Sequence, residues 1–269
     1  MLQRFNLFKI ILGCIFLFSF SNNFGSNIFA EEFLEISLEE ELKKGNFFIG
    51  LKQYLGGEND DFSISKNITF QTDNGYLNLY SLNGIKHKSK KINITWKDVS
   101  IKKPYVVKRI IFGPFGSYES AQKQADNLKE KGFEAIVAYP DNWEVWIPFK
   151  KNILNYDLKY EIFNQNINKR ITPFLIGDYI SQKLEGPIYI TSDENIKINN
   201  VNFGKNFYLM KDSYGTWTLI QKIKFDDYLN GVLPHEIGSN SPLEALKAQA
   251  VIARTWGIYN AKRFNMDNF

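Results

Sequence analysis

The sequence predicts an α+β protein: a mainly antiparallel, β-rich core, interrupted by one β-α-β-β segment and ending in a single long helix that carries a motif. Three observations lead there. Short apolar runs recur between turn-forming pairs such as Asn83–Gly84 and Thr72–Asp73–Asn74–Gly75, the pattern of hairpin-connected strands. One internal stretch, Ser117 to Gly132, switches to helical spacing. A second, alanine-rich stretch from Leu243 to about Arg263 does the same after a proline-containing start.

The N-terminus reads as a leader. Arg4 and Lys9 precede an apolar run from Ile10 to Phe20, and a polar stretch leads to Ile28–Phe29–Ala30 before Glu31–Glu32. This is the layout of a secretory signal over residues 1–30, with cleavage after Ala30. The run is shorter than the roughly 20 apolar residues of an ordinary membrane span. The expected location is therefore outside the cytoplasm, in the periplasm or cell wall, with no membrane span beyond the leader. The sole cysteine, Cys14, sits in the middle of that run, so the mature chain lacks disulfides, thiolate metal sites and a cysteine nucleophile. With only His87 and His235 besides, no metal and no cofactor are expected.

Composition supports a folded chain: 44% of the residues are hydrophobic, 16% aromatic and 23% charged. The formal charge of +4 falls to about +2 without Arg4 and Lys9. That is too mild a balance for a nucleic-acid partner.

Residues 31–103 form the first β-rich part. Strands are expected at Asn46–Leu51, Ile64–Phe70, Tyr76–Tyr80 and Ile92–Trp96, and the basic run Lys86–His87–Lys88 with Lys90–Lys91 reads as a solvated hairpin or loop. Pro104 opens residues 104–150. Tyr105 to Phe112 alternates as a strand, and Ser117 starts a helix with Ala121, Ala125 and Leu128 on one face and Gly132 as its stop. Phe133–Ala138 and Trp143–Phe149 complete β-α-β-β. The run GPFGSYESAQKQADNLKEKGFEAIVA resembles the SPOR domain, an extracytoplasmic module related to ferredoxin-like RNA-binding folds, and the resemblance implies binding to peptidoglycan glycan. The residues by themselves equally suit a structural insert.

Residues 151–269 begin with a polar connector, Asn152–Arg170. Strands follow from Ile171, with Ile188–Thr191, Ile196–Ile198, Phe207–Met210 and Trp217–Lys222 the clearest. The chemistry concentrates in Phe225–Asn260. Asp226 is placed to cap a short helix ending at Asn230, with Gly231 turning the chain out. A tight loop, Val232–Asn240, then carries Pro234, His235, Glu236 and Gly238. Ser241–Pro242–Leu243–Glu244 has the form of a capping box with proline at the first helical position. Leu243, Leu246, Ala250, Ala253 and Gly257 give the following helix a narrow face for close packing. Lys247 and Arg254, seven residues apart, share another stripe with Val251 and Ile258. Glu244 accounts for part of Lys247 as an i,i+3 pair, and both cations also suit a plain solvated face.

YLNGVLPHEI followed by PLEALKAQAVIARTWGIY resembles the signature of the SpoIID/LytB family. The resemblance implies an exported, peptidoglycan-acting protein: SpoIID is a lytic transglycosylase of glycan strands stripped of stem peptides, whereas LytB relatives stimulate a wall amidase. On it, Glu236 matches the catalytic glutamate, and Lys247 and Arg254 match basic residues implicated in activity. The SPOR-like run becomes an insertion in the β-rich half. Family domains continue past the motif helix, so a chain ending at Phe269 is expected to hold a truncated one. One carboxyl can act as acid and then as base, so no second carboxylate is required. Cations beside a general acid would favour its ionised form. Lys247 and Arg254 are therefore expected to bind the lactyl carboxylates of a stripped strand rather than to serve the glutamate. The expected partners are glycan strands, with a wall amidase as a further one. The alternative function is a noncatalytic wall-binding protein or amidase enhancer, in which Glu236 is an ordinary polar residue.

Overall fold

The structure is a computed structural model that describes residues 41, 43–57, 67–149, 159–212 and 214–260. The leader expected at residues 1–30 lies outside the described residues, as do the first part of the strand expected from Ile64 and the expected end of the C-terminal helix near Arg263. The described chain divides into two compact units, one built from residues up to Lys97 and again from Ile171, the other from Asp98–Arg170.

The first unit holds a six-stranded antiparallel sheet. Its strands are β1 (Asn46–Leu55), β3 (Leu77–Ser81), β4 (Lys86–Ser89), β10 (Ile188–Ser192), β13 (Asn206–Lys211) and β14 (Trp217–Lys224), in the order β1-β14-β13-β10-β3-β4. The β3–β4 hairpin turns at Gly84, whose φ of +80° is the conformation that an Asn-Gly pair supplies cheaply. Around it lie β2 (Asn67–Gln71) paired with the start of β5 (Lys91–Phe115), and the short β11 (Lys197–Ile198) and β12 (Val201–Asn202).

Alternation decides which side of each strand is buried. Leu77 and Leu79, Ile188 and Ile190, and Phe207 and Leu209 point to one side of the large sheet, where they meet Ile68, Phe70, Ile92 and Ile94. Burying each such side chain contributes about 1.5–3 kcal/mol. Trp217 closes this core and donates its indole N–H to the Ile171 carbonyl at 3.1 Å. A Cβ at Gly186 would lie 2.4 Å from the Trp217 ring, so a residue without a side chain is required there.

In the second unit, the later part of β5 pairs with β7 (Trp143–Pro148), and β7 pairs with β6 (Ile136–Ala138), all antiparallel. Helix α1 (Tyr118–Glu130) buries Ala121, Ala125 and Leu128. Its N-terminus is closed by reciprocal bonds: the Ser120 N–H donates to Ser117 Oγ and the Ser117 N–H to Ser120 Oγ, each at 3.2 Å. The β-α-β-β order and the overall α+β, β-rich class expected from the sequence are both present.

Several elements differ from expectation. β5 is one strand of 25 residues that runs straight through Pro104. The flanking Lys102–Val106 segment is exposed, and an extended chain tolerates the fixed φ of proline. Of the two readings of Lys86–His87–Lys88, hairpin or loop, the hairpin is the one present: the run forms β4, paired with β3. Residues 161–170 of the expected polar connector form a strand as well. β8 (Glu161–Ile176) carries Phe163, Ile167 and Ile171 as half-buried residues among asparagines of low strand propensity. A short β9 (Ser181–Lys183) pairs with its end.

Candidate functional site

The site grows out of the end of β14. Lys224 leads directly into helix α2 (Phe225–Glu236), whose first N–H, at Phe225, donates to the Gly45 carbonyl at 3.0 Å. Phe225 meets Phe47 of β1 edge-on at 4.6 Å, Tyr228 stacks on Phe47 at 6.2 Å, and Leu229 is buried. Three anchors in the first five residues thus fix the helix to the sheet edge. The expected stop at Asn230 does not occur. α2 continues through Gly231 and Pro234, because anchoring of its first turns and the acidic Asp226 and Asp227 at its N-terminus outweigh those two weak helix formers. The cap residue is Lys224, with no side-chain cap bond, so Asp226 is not the cap.

Glu236, expected in a loop, is therefore the last residue of α2, with His235 beside it in the same final turn, and both are exposed. A sharp connection follows, with Gly238 at φ +86°. Ser241 gives its hydroxyl hydrogen to the Ile237 carbonyl and so ties the turn back to the end of α2. The expected capping box is replaced by this bond. Helix α3 (Leu243–Asn260) starts at Leu243, and the Pro242 carbonyl accepts from the N–H groups of Ala245 and Leu246.

α3 lies against α2 through the small-residue face. Gly257 is buried, and a Cβ there would be 3.4 Å from both Phe225 and Phe47. Leu246, Ala250 and Ala253 are half-buried along the same stripe, whereas Leu243, at its start, is exposed. Across this contact Gln249 donates its Nε2 to Glu236 Oε2 at 2.7 Å. Tyr228, two turns before Glu236 on α2, has its hydroxyl pushed up by burial and, secondarily, by the Glu236 charge.

The two cations have other partners. Lys247 Nζ lies 2.9 Å from Glu244, as the i,i+3 spacing implies. Arg254 reaches Asp226 of α2 at 3.4 Å and lies over the Phe225 ring at 5.9 Å. Both pairs are exposed, so each contributes at most about 1 kcal/mol. Lys247, Val251, Arg254 and Ile258 form one exposed stripe on α3. The structure thus joins Glu236 to Gln249, and Lys247 and Arg254 to carboxylates of their own. The conflict between a general acid and adjacent cations does not arise in these pairings.

Gln249, Tyr228 and the partner role of Asp226 were not read from the sequence. The signal for Gln249 was its position: it is the polar member of the stripe that joins Leu246 to Ala253. Among the described residues no group of three or more His, Cys, Asp or Glu side chains could hold a metal ion, and no helix is long and apolar enough to cross a membrane.

An uncharacterized protein of Brachyspira hyodysenteriae is 31% identical over 128 residues, which cover 42% of this chain and 33% of the relative. The chain thus spans about a third of the length of the curated relative it matches. No solved structure matches. Residues 213–268, which include α2, Glu236, Gln249 and α3, match the family model described as Stage II sporulation protein, SpoIID, and this supports the SpoIID family for the segment that carries the site.

Proposed function

We propose that this is an exported protein acting on peptidoglycan, whose C-terminal segment cleaves stem-stripped glycan strands as a lytic transglycosylase does. The observation that carries the reading is the placement of Glu236: an exposed carboxyl at the end of α2, held against α3, within the segment that matches SpoIID. An exposed carboxyl can approach a polymer that no closed pocket would admit.

The chemistry balances with one carboxyl. Protonated Glu236 gives its proton to the glycosidic oxygen as the bond from the anomeric carbon breaks. The resulting carboxylate takes the proton of the sugar's own 6-hydroxyl as that oxygen bonds to the anomeric carbon. The product is a 1,6-anhydromuramic end, no water is consumed, and Glu236 is again protonated. Lys247 and Arg254, on their exposed stripe, exchange Glu244 and Asp226 for the lactyl carboxylates of a stripped strand. The β-α-β-β unit serves as a SPOR-like module that holds the glycan.

Purified protein incubated with stripped strands is expected to yield anhydromuramic ends by mass spectrometry, and Glu236→Gln to abolish them. Absence of these ends with the wild-type chain would reject the enzymatic reading. The pairing of both cations with carboxylates favours a second reading, a noncatalytic glycan-binding or amidase-stimulating protein. That reading expects glycan pelleting or amidase stimulation that survives Glu236→Gln.

A further inference from the structure

We infer that Gln249 is the positioning residue for Glu236, a role that deepens the proposed reaction and rests on that reading of Glu236. Glu236 sits at the last turn of α2, where its own helix supplies the side chain with no hydrogen bond among the described residues: the helix end at Ile237 is closed by the backbone bond to Leu233 and by the Ser241 hydroxyl, and the neighbouring His235 is exposed. The constraint comes from the other helix. Gln249 Nε2 bonds Oε2 at 2.7 Å across 13 residues of chain, and α3 is itself seated by Gly257 against Phe47 and Phe225. One carboxyl oxygen, Oε2, is thereby engaged on a residue that is otherwise exposed.

A carboxamide suits this place better than a cation. A lysine or arginine can only donate, and so favours the ionised carboxylate alone. Glutamine presents an N–H donor at one end of its amide and a carbonyl acceptor at the other. As drawn it donates to the carboxylate, and rotated by half a turn about its terminal bond it accepts the hydrogen of the carboxylic acid. A residue that alternates between acid and base in one turnover needs a neighbour that bonds both forms. Lys247, two residues before Gln249, is engaged by Glu244, and Arg254 is engaged by Asp226, so neither replaces Gln249 in these contacts. Tyr228 feels the Glu236 charge but bears on it electrostatically, from within α2.

The test has one readout that needs no turnover. In the full chain, the two Cγ protons of Glu236 are expected to have distinct NMR shifts, because the side chain is held in one orientation. In Gln249→Met, which keeps length and volume but has no donor, they are expected to converge. In Glu236→Ala, the side-chain amide resonances of Gln249 are expected to move. Gln249→Glu, the same shape with a repelling charge, gives the same loss of ordering and guards against a packing defect in the methionine variant. In turnover of stripped strands, Gln249→Met is expected to lower kcat about tenfold with KM unchanged, the scale of one lost hydrogen bond to a charged group. Unchanged Cγ shifts in both Gln249 variants would overturn the inference, and so would a kcat equal to that of the active wild type. Converging shifts in a chain that releases no anhydromuramic ends would uphold the positioning role and remove the enzymatic reading instead.

Discussion

Replacing Gly257 by leucine tests the contact on which the site depends. A Cβ at this position lies 3.4 Å from the rings of both Phe47 and Phe225, so the space admits one carbon and little more. Gly257→Ala sets two effects against each other. Alanine improves helix propensity by about 1 kcal/mol over glycine. The added methyl sits at the tight end of ordinary contact, against aromatic rings held by their own edge-on packing at 4.6 Å. The net change for alanine is expected to be small and of either sign. Leucine gains nearly the same propensity but must place three further carbons where the rings stand. Overpacking of this kind costs about 1–3 kcal/mol, so the net effect is a destabilisation of up to about 2 kcal/mol, or a local undocking of α3 of the same cost. Urea unfolding followed by circular dichroism measures the first, and loss of the Gln249 amide shift measures the second. A leucine variant more stable than wild type by about 1 kcal/mol, with that shift retained, would show that α3 does not rest on these rings.

Two further outcomes follow from other parts of the molecule. Asp212 is buried and accepts from the N–H groups of Tyr214 and Thr216 and from the Thr216 and Thr218 hydroxyls, yet burial still raises its carboxyl above the usual aspartate range. The folded state therefore holds a proton that the unfolded state releases. Its contribution is fully present below the unfolded value, near 3.8, and is lost as pH rises through the higher folded value. Asp212→Asn is expected to remove that loss, so the stability of the variant relative to wild type rises in urea melts as pH climbs above the unfolded value; a pH-independent difference would contradict it. Arg254→Ala is expected to leave stability within about 0.5 kcal/mol, since its pair with Asp226 is exposed, while lowering turnover of stripped strands more than that of peptide-bearing ones. Equal losses on both substrates would remove the lactyl carboxylate as the ligand of Arg254.

Local chemistry made much of this fold readable. The Asn83–Gly84 turn, the Ser117 cap and the Ala121–Ala125–Leu128 stripe all act within a few residues, and the alternation of Ile188–Ile190 and Phe207–Leu209 marks the inward side of each strand. Glu236 and α3 were legible because their sequence resembles a family signature. What was hidden is what long-range packing decides. Gly231 and Pro234 signal a stop that the Phe47–Phe225–Tyr228 contacts override, which moved Glu236 from a loop to a helix end. The asparagines of β8 conceal a strand whose half-buried Phe163, Ile167 and Ile171 recur every fourth position rather than every second. Ser241 was free to cap α3 or to close the turn, and only the tertiary geometry selects the Ile237 carbonyl. No spacing rule links Gln249 to Glu236, because the turn between two helices sets that meeting.

The pairing of β1 with β14 has a consequence for timing. Asn46 lies opposite Lys224, and Lys224 Nζ bonds the Lys44 carbonyl across 180 residues of chain. Phe47, on which both α2 and α3 rest, is supplied by that same early strand. The glutamate-bearing helix thus has no seat until the beginning of the sheet has found its end, a closure that carries a loop-entropy cost and forms slowly relative to local hairpins. A chain caught partway through folding would present Glu236 without the partner that orients it. The proposed cleavage would in this way stay silent until the fold is complete.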